Sequence, residues 1–234
     1  MKEPALALDR EQFESIRRLE TCVVANAIDS LNVRLRNEGY ADSSIRCMYP
    51  RLTPMLGYAV TLKIKCSSPP LEGNAYPDRT DWWGYILRMP APRVAVIQDV
   101  DSRPGTGAFL GEVHSTILQA LGCVGAVTNG AVRDLSAVEA SRFHLFAGSV
   151  AVSHAYSHIV EIGGEVEIGG MKIRPGDLIH GDRHGILSIP PEAAPQIPST
   201  AVRMLDQERK LIALCRSADF SLEKLREAVR QSPF

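Results

Sequence analysis

Between Arg93 and Val152 the chain alternates strand-like and helix-like segments, and this alternation restricts its fold more than any other feature. RVAVIQDV (93–100) is a nearly continuous apolar, β-branched run, the pattern of a strand buried on both faces. DSRPGTG follows as a turn with two glycines, and AFLGEVHSTILQALG (108–122) has the apolar spacing of an amphipathic helix. CVGAVTNG (123–130) reads as a second strand ending in a turn, DLSAVEASR (134–142) as a second helix and HLFAGSVAV (144–152) as a third strand. Strands separated by single helices pair in parallel through right-handed crossovers. The expected class is therefore α/β, a central β-sheet flanked by helices.

The flanking segments extend this plan. DREQFESIRRL (9–19) has an Asp cap and helical spacing, and CVVANAIDSL (22–31) reads as a second short helix. Residues 35–56 are loop-like, and GYAVTLKIKC, from Gly57, reads as a strand. A Pro/Gly-rich loop from Ser67 leads to a helix over 80–88. EVEIGGMKIRPGD (165–177) is a hairpin about Gly169–Gly170, and DLIHGD and GILSIP are short strands about the Arg183–His184 turn. Pro190 and Pro191 open a helical tail. With no internal repeat or linker, residues 1–234 read as a single domain, with a core over 15–190 and a C-terminal helical arm over 191–234.

Composition bounds the function. Twenty-six basic residues against 27 acidic ones leave a net charge of −1, which argues against direct nucleic-acid binding through bulk charge. No apolar run approaches the ~18 residues of a membrane span, and the N-terminal residues lack a signal-like apolar region, so a cytoplasmic protein with no membrane association is expected. The five cysteines, Cys22, Cys47, Cys66, Cys123 and Cys215, are widely spaced without a CxxC pair, which points to reduced thiols.

Ligands in parallel α/β sheets bind at the carboxyl ends of strands. Two such ends are rich in glycine and polar residues: Asp99 to Gly107, continuing to Gly111-Glu-Val-His114, and Asn129-Gly-Ala-Val-Arg-Asp134. Both follow neighbouring strands and should face one crevice. Free N–H groups at the start of the helix after the first loop can bind an anion, although the spacing is not GxGxxG. In the second loop, Arg133 can grip a carboxylate through two parallel bonds, and Asp134 can hold a hard divalent cation. The competing reading makes Asp134 a plain helix cap and Arg133 a surface charge. His154 and His158 have i, i+4 spacing, but their segment looks strand-like, which separates the rings and disfavours zinc. His180 and His184 read as part of a turn. There is no GxSxG, no cysteine stands beside a histidine, and the two loops hold no lysine for a Schiff base.

The run GAFLGEVHSTILQALGCVGAVTNGAVRD (107–134) resembles the family that contains the regulator of ribonuclease E activity A (RraA) and 4-hydroxy-4-methyl-2-oxoglutarate aldolase. The resemblance lies in Gly111-Glu112 at a helix start and in G-x-x-G-x-V-x-x-G-x-V-R-D from Gly122 to Asp134, and it extends over roughly 15–215. It implies a fold like the phosphohistidine swivelling domain, assembled as a homotrimer or hexamer with sites between subunits. Carried over residue by residue, Arg133 binds the pyruvyl carboxylate, Asp134 holds Mg²⁺ or Mn²⁺, and the backbone amides of Gly111, Glu112, Val113 and His114 line the substrate. Glu112 stands where aldolase members often carry Asp, and by the resemblance it would meet the metal through water. Glu208 is the candidate for a glutamate contributed by the adjacent subunit.

The resemblance implies a divalent-metal-dependent lyase that cleaves a C–C bond of a pyruvate-containing 2-oxo acid. Retro-aldol cleavage and oxaloacetate decarboxylation both leave a pyruvate enolate, so one site can serve both. The alternatives are a non-catalytic regulator that binds ribonuclease E, and an enzyme of the same family acting on another hydroxy or sugar acid. The methyltransferase label that some family members carry finds no glycine-rich S-adenosylmethionine loop here. The pocket beyond the pyruvyl unit is expected from Tyr76–Trp83 and His114.

Overall fold

The computed structural model describes residues 8–71 and 78–231. Two helices lead the chain in, α1 (Arg10–Arg17) and α2 (Thr21–Leu31). Asp9 and Gln12 form a reciprocal capping box that sets the start of α1. Helix α2 has no cap from its own N-terminal side chain. The buried carboxylate of Asp182, 161 residues later, accepts the Thr21 N–H at 2.8 Å instead.

A short strand β1 (Arg46–Cys47) interrupts the segment expected to be loop, and β2 (Met55–Lys65) begins two residues before Gly57. Then come α3 (Arg79–Ile86), β3 (Arg93–Asp99), β4 (Ala108–Leu110), α4 (Glu112–Ala120), β5 (Cys123–Val132), α5 (Leu135–Ala140) and β6 (His144–Val150). The second half holds β7 (His158–Ile162), the hairpin β8 (Val166–Ile168) and β9 (Met171–Ile173), β10 (Leu178–Asp182) and β11 (Gly185–Ile189). The tail forms α6 (Ile197–Arg216) and α7 (Leu222–Gln231).

The helix expected over 108–122 is shorter than its apolar pattern suggested. Ala108–Leu110 is fully buried and pairs in parallel with the second half of β5, so the helix starts only after Gly111. An all-apolar triplet matches either period, and only tertiary pairing decides between them.

Among the described residues the main sheet has nine strands, in the order β1-β6-β5-β3-β2-β10-β11, with β4 beside β5 and β7 beside β2. Strands β3, β5 and β6 pair in parallel, as the alternation required, and β2 extends the parallel set beside β3. Strands β1, β7, β10 and β11 are antiparallel additions. The helices cover one face, where Ile16, Val24, Ile28, Trp82, Ala95, Ile97 and Phe143 share a core. On the other face the β8–β9 hairpin replaces helices, packing Ile168 and Ile173 against Val94, Val96, Val127 and Ile179. Alternate residues of β3 therefore enter two separate cores, which explains its unbroken apolar run. Among the described residues, no helix is long and apolar enough to cross a membrane.

Candidate functional site

The carboxyl ends of β3 and β5 lie side by side and are tied together. The Asn129 side chain accepts the Asp99 N–H at 2.7 Å and donates to the Asp99 carbonyl at 2.9 Å. Asp99 in turn accepts the N–H groups of Asp101 and Gly105, which shapes the loop leading to β4. Of the two stretches expected to face one crevice, Gly111–His114 and Arg133–Asp134 do so, whereas Asp99 to Gly107 takes no part in its wall.

At the crevice, Arg133 and Asp134 follow the last residue of β5. Asp134 adopts the left-handed conformation, with φ of 56°. It stands at the N-terminal cap of α5 but makes no side-chain bond to that helix. Its carboxylate turns back to accept the Glu112 N–H at 3.1 Å, so it caps α4 instead, where a negative charge meets the positive end of the helix dipole. The Arg133 Nε donates to the same oxygen at 3.3 Å. Gly111 makes this approach possible: a Cβ at that position would stand 2.4 Å from the Asp134 Oδ2 and 3.0 Å from the Arg133 Cγ. Glu112 and Val113 are exposed, and His114 is buried.

A cavity of about 420 Å³ opens here, lined among others by Gly111, Val113, His114, Arg133 and Asp134. Of the residues singled out in the sequence, Glu112 is adjacent to it, and Glu208 lies on α6, outside its wall. Phe109 and Ile117 also line it and carried no signal in the sequence, and His154, weighed there only as half of a zinc pair, joins them. From the segment expected to shape the outer pocket, Trp83 reaches the cavity together with Arg79, whereas Tyr76 lies outside the described residues. His154 and His158 do not form a pair: each ring bonds a different backbone carbonyl, Ala108 for one and Tyr156 for the other.

The His114 Nδ1 lies 2.8 Å from the Phe109 carbonyl, and its ring stacks on Phe109 with centroids 4.6 Å apart. A carbonyl only accepts, so Nδ1 carries the proton. Burial pushes the His114 pKa down, with Arg79 and His154 adding repulsion, so the ring is neutral and Nε2 keeps a lone pair.

Two groups of donors could attract a cation. Asp134 has a half-exposed carboxylate at the cavity mouth, bonded among the described residues through one oxygen, which suits an ion held by one or two carboxylates with water and substrate completing the shell. Cys66, Asp99 and Asp101 also converge, with ligand atoms within 4.8 Å of one another. Their chemistry fits a cation less well. Asp101 already accepts the Cys66 and Ser67 N–H groups and the Ser67 hydroxyl. Burial and the neighbouring aspartates push the Cys66 thiol up to about 12, so it stays protonated. Asp99 and Asp101 shift in opposite directions, Asp99 raised by burial and Asp101 lowered because Ser67 and backbone N–H groups outweigh its burial. This cluster locks the loop.

A family model described as RraA-like (Aldolase/RraA) matches residues 21–188. The chain belongs to the RraA-like family. Within it, a Halalkalibacterium halodurans protein provisionally named as a 4-hydroxy-4-methyl-2-oxoglutarate aldolase is 37% identical over 86 residues, which span 36% of this chain and 41% of that protein. Among solved structures, an uncharacterised Pseudomonas syringae protein superposes with a TM-score of 0.74 at 22% identity, covering 97% of this chain and 98% of its own. A Streptomyces coelicolor protein described as an unusual member of the RNase ES inhibitor RraA protein family superposes with a TM-score of 0.68 at 22% identity, covering 88% of this chain and 98% of its own. At these identities the solved RraA-like structures establish the shared fold.

Proposed function

We propose that this RraA-like protein is a divalent-metal-dependent lyase acting on a pyruvate-containing 2-oxo acid, by retro-aldol cleavage, oxaloacetate decarboxylation or both. The observation that carries this reading is the meeting of Arg133 and Asp134 at one cavity mouth, where a helix N-terminus also points. Arg133 binds the substrate carboxylate through its guanidinium fork. The N–H groups at the start of α4 orient the pyruvyl oxygens, and Asp134 would hold Mg²⁺ or Mn²⁺ with Glu112 beside it. When bound, the cation supplies Lewis-acid withdrawal of electrons from the keto group, which stabilises the enolate left by C–C cleavage. In an assembly of three or six subunits, Glu208 of one copy would reach the neighbouring site.

The test is a screen of 2-oxo acids, oxaloacetate first, for pyruvate released only with Mg²⁺ or Mn²⁺ present. Activity that survives chelation, or none on any 2-oxo acid, sinks the reading. A pull-down that captured a ribonuclease with an inactive protein, without needing Mg²⁺ or Arg133, would put the regulator in its place.

Gly111→Ala provides a second check. The added methyl displaces Asp134 and Arg133 without removing either charge. Pyruvate release should fall by at least about tenfold, since an ångström of misplacement at a catalytic group costs on the order of 10²-fold. Assays of the variant at matched folded concentration separate this from a loss of stability.

A further inference from the structure

Strand β5 runs from a second cavity to Arg133 and Asp134. This cavity, of about 580 Å³, opens where β5 and β6 begin, between α1, residues 52–56 at the start of β2, and the carboxyl ends of α4 and α5. Its wall is apolar along Phe13, Pro54, Leu56 and Pro92, and its polar edge is made by Arg17, Arg142 and His144.

The charges at that edge do not cancel. Helix carboxyl ends disfavour an anion, but both are already answered here. The Arg93 guanidinium donates to the Leu121 carbonyl at 2.7 Å, after α4, and the Gln119 amide donates to the Ser141 carbonyl at 3.0 Å, after α5. Glu14 supplies the one carboxylate among the lining side chains, and both its oxygens accept from Arg17, at 2.7 to 3.1 Å. Arg142 is left over, with no ion pair among the described residues.

Two further observations concern the same edge. Arg142 follows the C-cap of α5 with φ of 58°, the left-handed position where helices ordinarily place Gly or Asn. The turn itself would be better met by glycine, so the side chain accounts for an arginine there. His144 is half-buried, and its ring has no hydrogen-bond partner among the described residues. Burial pushes its pKa down to about 4, with Arg142 and Arg17 adding repulsion, so the ring is neutral and one nitrogen carries a proton to donate.

We propose that this cavity binds a small organic carboxylate with an apolar body, such as an aryl-alkanoate, its carboxylate on Arg142 and the His144 N–H and its body against Phe13, Pro54, Leu56 and Pro92. The site lies at the opposite end of β5 from Arg133 and Asp134, and it stands independently of the 2-oxo acid reading. Neither half suffices alone: a bare anion leaves the apolar wall unfilled, and a neutral ligand leaves Arg142 without a partner.

Calorimetric titration with 3-phenylpropanoate, 3-phenylpropan-1-ol and acetate separates the two halves. The wild-type protein should bind 3-phenylpropanoate about tenfold more tightly than the alcohol, the lower end of the range for hydrogen bonds to a charged group because Arg142 is exposed, and acetate more weakly than 3-phenylpropanoate. Arg142→Gly should bring 3-phenylpropanoate down to the level of the alcohol while the melting temperature holds or rises, since glycine suits this backbone. Arg133→Gln should leave 3-phenylpropanoate binding unchanged, which separates this cavity from the one at the carboxyl ends. Equal wild-type affinities for the carboxylate and the alcohol, acetate bound as tightly as 3-phenylpropanoate, a preference that survives Arg142→Gly, a lowered melting temperature in that variant, or loss of binding in Arg133→Gln would overturn the site, as would a wild-type protein that binds none of the three. Each of these results leaves the 2-oxo acid reading in place, which stands or falls on pyruvate release.

Discussion

Asp134→Ala is expected to lower metal-dependent pyruvate release on the order of 10³-fold, because it removes the carboxylate proposed to hold the cation, whose charge stabilisation is worth several kcal/mol in the transition state. The loss should appear in kcat, and excess Mg²⁺ should restore little of it. Arg133→Ala should cost on the order of 10²-fold, expressed mainly as a raised KM, since its fork serves the carboxylate present in ground and transition states alike. Arg133→Lys should recover only part, because an ammonium keeps the charge and loses the planar pair of bonds. The variants also carry a structural cost. Asp134 caps α4 through the Glu112 N–H, and deleting a cap costs about 1 kcal/mol, too little to unfold a protein of ordinary stability. Full activity in both alanine variants would refute the lyase assignment.

The second large effect is on stability. Asp182 is 5% exposed, accepts the Thr21 and His184 N–H groups, and lies 3.0 Å from the His184 Nδ1. It therefore pins α2 to the turn between β10 and β11, although these elements lie at opposite ends of the sequence. Asp182→Ala strips the cap from α2 and leaves a buried N–H unpaired, a cost of about 3 kcal/mol. At this chain length that corresponds to a melting temperature roughly 6–12 °C lower. Burial raises the Asp182 pKa, but the hydrogen bonds from His184 and Thr21 outweigh it and hold the carboxyl below its usual value. The unfolded state, titrating near pH 3.9, then binds more protons than the native state below that region. The contribution of Asp182 is thus complete above about pH 5 and is lost as the pH falls through its folded value. Nearby His180 is pushed down to about 4 by burial, with Asp182 partly opposing it, so it is neutral when folded, and its contribution fades earlier, as the pH drops from about 6.5 toward 4. Thermal melts of wild type and Asp182→Ala from pH 7 to 3 should converge at the acid end. Curves that stay parallel would show that the carboxylate's charge does not matter.

Local periodicity was sufficient for the parallel β3, β5 and β6, because buried parallel strands are apolar throughout and their crossover helices are not, whereas it gave β2 as a strand without its direction. It could not distinguish β4 from the first turn of a helix, since Ala108-Phe109-Leu110 is apolar at every position and takes its form from β5. The site divides in the same way. Gly111, Arg133 and Asp134 belong to one local motif and meet as that motif suggests. Arg79 and Trp83 lie in the segment expected to shape the outer pocket and do line the cavity, whereas Phe109 reads as an ordinary core residue until Arg79 and His114 are seen on its ring. The second core was hidden as well: a hairpin of three-residue strands gives no hint that it substitutes for a layer of helices.

One irregularity of β5 bears on how such sites diversify. Its register against β6 shifts between Thr128 and Ala131, around Asn129 and Gly130. A strand counts its faces by odd and even positions, and a bulge changes the parity of every residue after it. Thr128 pairs with Ala147 and Ala131 with Ser149, so β5 takes three steps where β6 takes two, and the extra residue is absorbed at Asn129–Gly130 with Ala131 on the same face as Thr128. The facing of Arg133 and Asp134 is thus set by the partner strand, and the numbering inside β5 does not decide it. A lineage could gain or lose one residue at this point while both side chains keep their places at the strand's end.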